Sequence, residues 1–528
     1  MATLAFAQGQ TKKDNDNCSQ EQLLQDYDYF FSQLEQIHPD PYSAFGGKDG
    51  FGKAVKQLRD KLINRDTLST NEMQAEVTRL LSALHDGHTY MGYGNASKKV
   101  EDGWIPLKLK VIPDGIIVNG YAPELGFLKG AMLCEVEGEA LESVLDRLDK
   151  LVISKNRYGL MGKACTRIGN TNVLRQLFPT FNKDQVSMKF HMVNGKDTLV
   201  NLPFYPNGPF WENIVWTSTD ERFPKKNFEY RFVDDNKQTM VMCINSIVSA
   251  DIPNLESYGL KSDVIVADVF AKMLREMKAA NSPRLIIDLR GNGGGWTMIM
   301  YAALYELYGK RIMVTDFGMH AATKVSGGWL KKNNLTLEQL NQERGTSLKM
   351  GDFIERPSNI TNYDWFMCAD MSILEAQNGE PIYTPKEIYV VTDVQTFSSA
   401  FHTTYMLWKM GAKVVGVPSG QAPNTFMEVT QFKLPNTGLE CSVSNSLQSC
   451  FPKDHPMAKT FTPDIQLSYE DYRQLEFSND AELLFIEKLS HLSQINAVYP
   501  KCLSRKQFVI LQRQNIKQED EKIQLHQE

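Results

Sequence analysis

The stretch Leu285-Ile-Ile-Asp288-Leu-Arg290-Gly291-Asn292-Gly293-Gly294-Gly295 reads as a buried strand that stops in four glycines set around an asparagine, and a helical pattern follows it. Glycine tolerates positive φ and close backbone approach. A Gly-rich turn between strand and helix can therefore aim bare N–H groups, and the helix's positive end, at negative charge. Three chemistries use that device. A dinucleotide fingerprint needs G-x-G-x-x-G, yet Trp296 stands where the third glycine belongs, and a phosphate loop needs Gly-Lys-Ser/Thr, which is absent. The third use is an oxyanion hole; a tight structural turn is the alternative.

Working outward, residues 206–500 alternate short apolar strands with helical segments: Met240–Ile244, Ser262–Ala280, Leu285–Leu289, Thr297–Tyr308, Ile388–Thr392, Ser399–Met410 and Lys413–Val417. This predicts a mixed or parallel sheet covered by helices, an α/β (mixed) core. An irregular insertion at 318–387 is a candidate cover for a cleft. Upstream, Ser19-x-x-Gln22 and Ser69-x-x-Glu72 open two helical patterns, with Phe51, Val55, Leu58 and Leu62 marking a third between them, so residues 19–100 read as a helical bundle. From Trp104 the period becomes that of strands, and residues 101–205 read as a β-rich domain. There, the stretch Lys129–Gly138 followed by the helix Ala140–Leu151 has the strand, glycine turn and helix order of a PDZ-like module. The Lys-, Gln- and Glu-rich tail 501–528 reads as a peripheral helix.

The 528 residues carry a net charge of -6 and 23% charged side chains without basic clusters, so no nucleic-acid partner is expected. No apolar run approaches the ~20 residues that span a bilayer. Met1-Ala-Thr-Leu-Ala5-Phe-Ala7 resembles the remnant of a signal peptide and suggests export to the periplasm or cell exterior; a disordered N-terminus over 1–18 is the other reading. Cys441 and Cys450 are spaced to bridge a short loop in an exported protein, and no C-x-x-C pair suggests a metal. No cofactor is expected.

Two further stretches carry chemistry. In Tyr389-Val-Val-Thr-Asp393-Val-Gln-Thr396-Phe397-Ser398-Ser399-Ala400-Phe-His402, a serine pair opens an apolar helix, which suits a nucleophile with an adjacent amide and equally suits a helix cap. In Leu84-His85-Asp86-Gly87-His88-Thr89, a histidine beside a chain-bending glycine can project into a cleft as a general base or serve the bundle as a structural residue. His85 and His88 lack a third partner for metal ligation.

Together, D-G-H-T, D-L-R-G-N-G-G-G and T-F-S-S-A before G-A-K-V-V-G-V-P-S-G resemble the C-terminal processing and tricorn-type (tail-specific) serine peptidases across most of residues 19–470. That resemblance implies a ClpP/crotonase-like core and peptide or protein substrates, with a homo-oligomer possible. It implies Ser398 as nucleophile, His88 as base in the tricorn-like manner, and Gly293, Gly294 and Ser399 as oxyanion donors. The lysine of the processing branch is replaced by Gln421-Ala422-Pro423, and Lys409 and Lys413 lie too close to Ser398 to substitute for it. Phe401 stands where an acid often follows the nucleophile, and Gly87 where tricorn has serine. Glu440 is the candidate acid for His88, with Asp454 behind it, and His402 lies one turn after Ser398. The rival expectations are a non-catalytic protein holding peptides or small apolar ligands on this fold, and an esterase or amidase using the same serine.

Overall fold

A computed structural model describes residues 18–92, 103–206, 212–252, 255–258, 260–356 and 379–495. The N-terminal stretch and the tail after Ile495 lie outside those residues.

Helices α1 (Gln20–Ile37), α2 (Lys48–Ile63) and α3 (Thr70–Leu81) form the bundle. Both expected capping boxes are present: Ser19 exchanges bonds with Gln22, and Ser69 with Glu72. Helix α1 stops at His38, because Pro39 disfavours helical geometry in the residue before it. Leu23, Tyr27, Phe30 and Leu34 of α1 pack on Phe51, Leu62, Met73 and Val77. The same cluster contains Leu434, Cys441 and Val443 from far along the chain, so the bundle core is completed by the C-terminal half. Buried Asp26 secures that contact by accepting the N–H of Asn436 (2.9 Å) and of Thr437 (2.8 Å).

Between β1 (Gly103–Trp104) and the bundle of strands that follows, the period-2 reading holds. Strands β2 (Leu107–Ile112), β3 (Gly115–Tyr121), β4 (Met132–Val136), β5 (Glu139–Ala140), β6 (Gln185–His191) and β7 (Asp197–Pro203) form one sheet, with the path β2-β3-β4-β6-β7. Helices α4 (Leu141–Leu148), α5 (Arg157–Arg167) and α6 (Thr171–Leu177) cover it; the last two were not legible as helices in the sequence. Short strands β8 (Tyr205–Pro206) and β9 (Val215–Trp216) pair with β1 and β3.

The core sheet runs β10 (Glu229–Phe232), β11 (Thr239–Cys243), β12 (Arg284–Asp288), β15 (Glu387–Thr392), β16 (Lys413–Gly416), with only β10 antiparallel. Strands β11 and β12 are buried at every position because both faces are covered. Leu285 and Ile287 of β12 meet α7 (Val266–Ala280) and α8 (Ile299–Tyr308) through Phe270 and Leu304. Ile286 points the other way, into a cluster with Ile112 and Ile117 of the middle domain and Leu483 and Ile486 near the C-terminus.

The expected irregular insertion is instead folded over its described part. Strand β13 (His320–Lys324), helices α9 (Gly327–Lys332) and α10 (Leu337–Arg344), and strand β14 (Phe353–Arg356) surround a small core of Val325, Leu330, Leu340 and Ile354. Residues 357–378 lie outside the described part. A four-stranded sheet, β14-β13-β18-β17, joins this unit to the long hairpin β17 (Thr425–Lys433) and β18 (Glu440–Ser449), which the sequence reading had not resolved. That hairpin also rules out the expected disulfide. Cys441 and Cys450 are free cysteines at opposite ends of β18, some nine residues or ~30 Å apart on an extended strand.

Beneath the glycine turn, Arg290 binds Asp288 (2.7 Å) and Glu482 (2.7 Å) and approaches Asp480 (3.3 Å), while Tyr472 donates to Glu482 (2.6 Å). Burial works to raise the Glu482 carboxyl, but Lys110 and Arg290 beside it prevail and hold it down to about 2. Replacing Arg290 by Met leaves buried Asp288 without its cation and leaves Glu482 to Lys110 and Asp480 to Lys225 alone. The expected cost is roughly 3–5 kcal/mol in urea unfolding. A variant with an unchanged urea midpoint would contradict this role.

Candidate active site

The glycine turn is organised by Asn292, which is fully buried. Its side-chain amide donates to Ile244 O (2.8 Å) and its Oδ1 accepts the Gly294 N–H (2.8 Å), while its own carbonyl accepts the N–H of Phe397 (2.9 Å). That last bond joins the turn to the segment carrying Ser398. Glycine is required at two points: a Cβ on Gly295 would lie 2.0 Å from Ile247 O, and one on Gly294 would lie 2.7 Å from Ser398 Cβ. Both have positive φ, +145° and +113°.

Ser398 precedes helix α11 (Ser399–Lys409) and has φ 55° and ψ -122°, a conformation costly for any residue with a Cβ. It sits in the N-cap position, yet its hydroxyl makes no capping bond. Ser399 does not cap either; its hydroxyl donates to Gly295 O (2.6 Å), tying helix to turn. The Ser398 N–H is taken by Gln421 Oε1 (2.6 Å), so the residue standing where the processing branch has lysine grips the serine's backbone. With the Ser398 N–H and the Gly294 N–H engaged, Gly293 and Ser399 are the expected oxyanion donors not drawn into these bonds. His402 makes a 2.9 Å bond with Thr297 Oγ1. Phe401 is wholly buried against Tyr405 and Phe461, which explains an aromatic residue at that position.

His88 is delivered by the bundle. A short 3₁₀ turn, Ser82–Leu84, follows α3, and His85 reverses the chain at φ 49°. Asp86, wholly buried, then accepts the His88 N–H (3.0 Å) and the Thr89 hydroxyl. Tyr90 pairs with Ser442, so this loop is stitched to β18. The His88 ring lies 5.3 Å from the ring of Phe397, the residue before Ser398. A side chain at Gly87 would meet Lys155 and Phe397 at 3.2 and 3.3 Å, which accounts for glycine there. His88 Nδ1 faces Phe426 O (3.3 Å), Lys155 Nζ (3.2 Å) and Asp86 Oδ1 (3.9 Å). Burial, then the Lys155 charge, lowers the imidazole to about 4, so it is neutral at pH 7.

Glu440 is not brought to His88. It is exposed, ion-paired with Lys433 (3.2 Å), and seven residues along the hairpin from the level of Phe426, or ~23 Å on an extended strand. Asp454 is exposed too. The acid beside His88 is Asp86, which the sequence offered in the same short motif. Asn292 and Gln421 also lay in quoted stretches, but Lys155 had no local signal: it precedes the Asn156 cap of α5 and reaches the site only through tertiary packing. His85 bonds Ser154 O (3.0 Å) rather than pairing with His88, and no metal-holding cluster occurs among the described residues.

Residues 252–467, which contain the glycine turn and Ser398, match Peptidase family S41. No curated protein matches the chain. Among solved structures, mature CPAF complexed with lactacystin aligns at 18% identity over 90% of this chain and 98% of that one, with a TM-score of 0.53. Mature CPAF alone gives 17%, 92%, 99% and 0.54, and its s499a mutant 16%, 92%, 99% and 0.53. These likenesses establish the fold over nearly the whole length.

Gly294→Ala tests the close approach of turn and serine. The added methyl must displace the Ser398 backbone at a positive-φ position, and the expected loss is about 1–3 kcal/mol in urea unfolding. Loss-free tolerance of alanine would show that the two segments are not held in contact.

Proposed function

We infer that the protein hydrolyses peptide bonds through an acyl-enzyme on Ser398, with His88 as general base. The observation that carries this reading is Ser398 itself: a serine in a strained conformation with its hydroxyl unused as a cap, against a glycine turn and close to a neutral, half-shielded histidine. Strain of this kind persists where the surroundings enforce it, and it clusters at reacting residues.

In the first half-reaction His88 Nε2 takes the Ser398 proton as Oγ attacks the carbonyl carbon, and then gives it to the leaving amine. The oxyanion is received by the amides of Gly293 and Ser399, each donor of this kind contributing roughly 3–4 kcal/mol. Asp86 holds the turn that carries His88. Water then deacylates the serine with His88 acting again as base. The S41 assignment of the segment supports peptides or proteins as substrates. The finer architecture, a crotonase-like core with a PDZ-like middle domain, is supported by the parallel strands β11, β12, β15 and β16 and by the β4, glycine turn, α4 order. A purely ligand-holding protein is the weaker reading, because it gives no use to the Ser398 strain.

Fluorophosphonate labelling decides between them. Native protein should label and Ser398→Ala should not; His88→Ala should label about 10²–10⁴-fold more slowly. A native chain inert at every pH, or labelling that survives Ser398→Ala, would overturn the assignment. Turnover of peptide against ester substrates then separates peptidase from esterase.

A further inference from the structure

Lys155 is the strongest feature of the site that the mechanism leaves unused. Its side chain is 2% exposed, it comes from the loop between α4 and α5 of the middle domain, and it ends among three acceptors: Thr425 Oγ1, Phe426 O at 2.8 Å and His88 Nδ1 at 3.2 Å. We propose that Lys155 is a positioning residue that sets the tautomer of His88, so that the base is available to Ser398 only when Nζ is unprotonated. This rests on the reading of His88 as the base.

Donors and acceptors decide which nitrogen of His88 carries the proton. An ammonium has three protons and no lone pair, so beside it Nδ1 must accept. The single proton of a neutral imidazole then sits on Nε2, the nitrogen left for Ser398, where it blocks proton abstraction. When Nζ releases a proton to solvent, the amine keeps two donors for Thr425 and Phe426 and gains one lone pair. His88 can now carry its proton on Nδ1, donated to that lone pair, and Nε2 becomes the acceptor. The imidazole holds one proton in both states and only Lys155 loses one, with no heavy atom displaced.

The surroundings place this change in an accessible range. Burial lowers Lys155 to about 8, with Asp86 (3.9 Å) opposing. The facing groups are Asp86 and His88 from the bundle loop, His38 behind Asp86 (3.4 Å), Thr425 and the Phe426 carbonyl from β17, and the Phe397 ring at 5.3 Å from the core. His402 acts electrostatically on His88 and lowers it further. On Lys155's own loop, Ser154 binds His85 and Asp149, so Asp149 is already engaged. His88 is neutral above about 4, so the limb near 8 is the one that governs.

The test is the pH dependence of fluorophosphonate acylation. In native protein the rate should climb about tenfold per pH unit and level above about pH 8. In Lys155→Met the limb should vanish, because Nδ1–H then faces two acceptors, Phe426 O and Asp86 Oδ1, and the ratio of the rate at pH 6 to the plateau should rise about 100-fold. In Lys155→Arg, which stays charged, no plateau should appear. A purely structural lysine would lower the rate at every pH without moving the limb. A native limb retained in Lys155→Met, or a native plateau in Lys155→Arg, would overturn the proposal. Should either variant fail to fold by near-ultraviolet circular dichroism, ¹⁵N NMR of imidazole-labelled native protein decides: His88 should carry its proton on Nε2 at pH 6 and on Nδ1 at pH 9, and one tautomer throughout would refute it. A native protein that shows this exchange yet never labels would instead sink the peptidase reading.

Discussion

The bond from Phe397 N–H to the Asn292 carbonyl is the contact on which the site depends. It fixes the end of β12's turn against the end of β15's turn, at the carboxyl edge of a sheet where parallel strands open a crevice. Backbone can approach this closely only without side chains between, hence Gly294 and Gly295. Asn292 closes the turn from inside by bonding both Gly294 and Ile244, so the turn is anchored to the next strand as well. The strained Ser398 geometry follows, since Phe397 before it and the helix after it are both immobilised.

A second junction assembles the rest. Thr425 and Phe426 at the start of β17 meet Lys155 from the middle domain, His88 from the bundle and His38 from the end of α1, whose ring lies 4.4 Å from that of Phe426. The hairpin that begins there continues into the bundle core and ends at the Asp26 clasp. Base and nucleophile thus belong to separate folding units, and the hairpin is the part that sets their relative position. Docking the bundle buries apolar side chains and satisfies Asp26 at the same time. A misdocked bundle would lose both.

How far the sequence could be read follows from the range of each interaction. Capping boxes, helix faces and the strands β11, β12, β15 and β16 rest on neighbours within a few residues, and all were legible. So was the turn of four glycines. The β17–β18 hairpin was not, because its polar, alternating strands face the bundle on one side and the folded insertion on the other, and periodicity does not name a partner. For the same reason Glu440 was chosen by its distance along the chain, whereas space selected Asp86, two residues from His88. Lys155 was invisible for a stronger reason: a lone lysine before a helix cap reads as surface charge, and only the meeting of three units buries it.

That burial has a physical logic. An isolated ammonium in such a place would be costly, and among the described residues Asp86 is the one carboxylate within ion-pair distance of it. Asp86 is itself held far below the usual carboxylate range, against its burial, by His38, Lys155 and His88. Two charges therefore sit at the junction with one counter-ion each and several neutral acceptors, an arrangement that hydrophobic packing would replace at little cost to stability. Its persistence beside a neutral histidine is better explained by proton placement than by strength. A lysine held by three acceptors, one of them an imidazole nitrogen, fixes which end of that imidazole carries hydrogen. An apolar side chain could fill the same volume but would leave that choice to the Phe426 carbonyl and the Asp86 carboxylate.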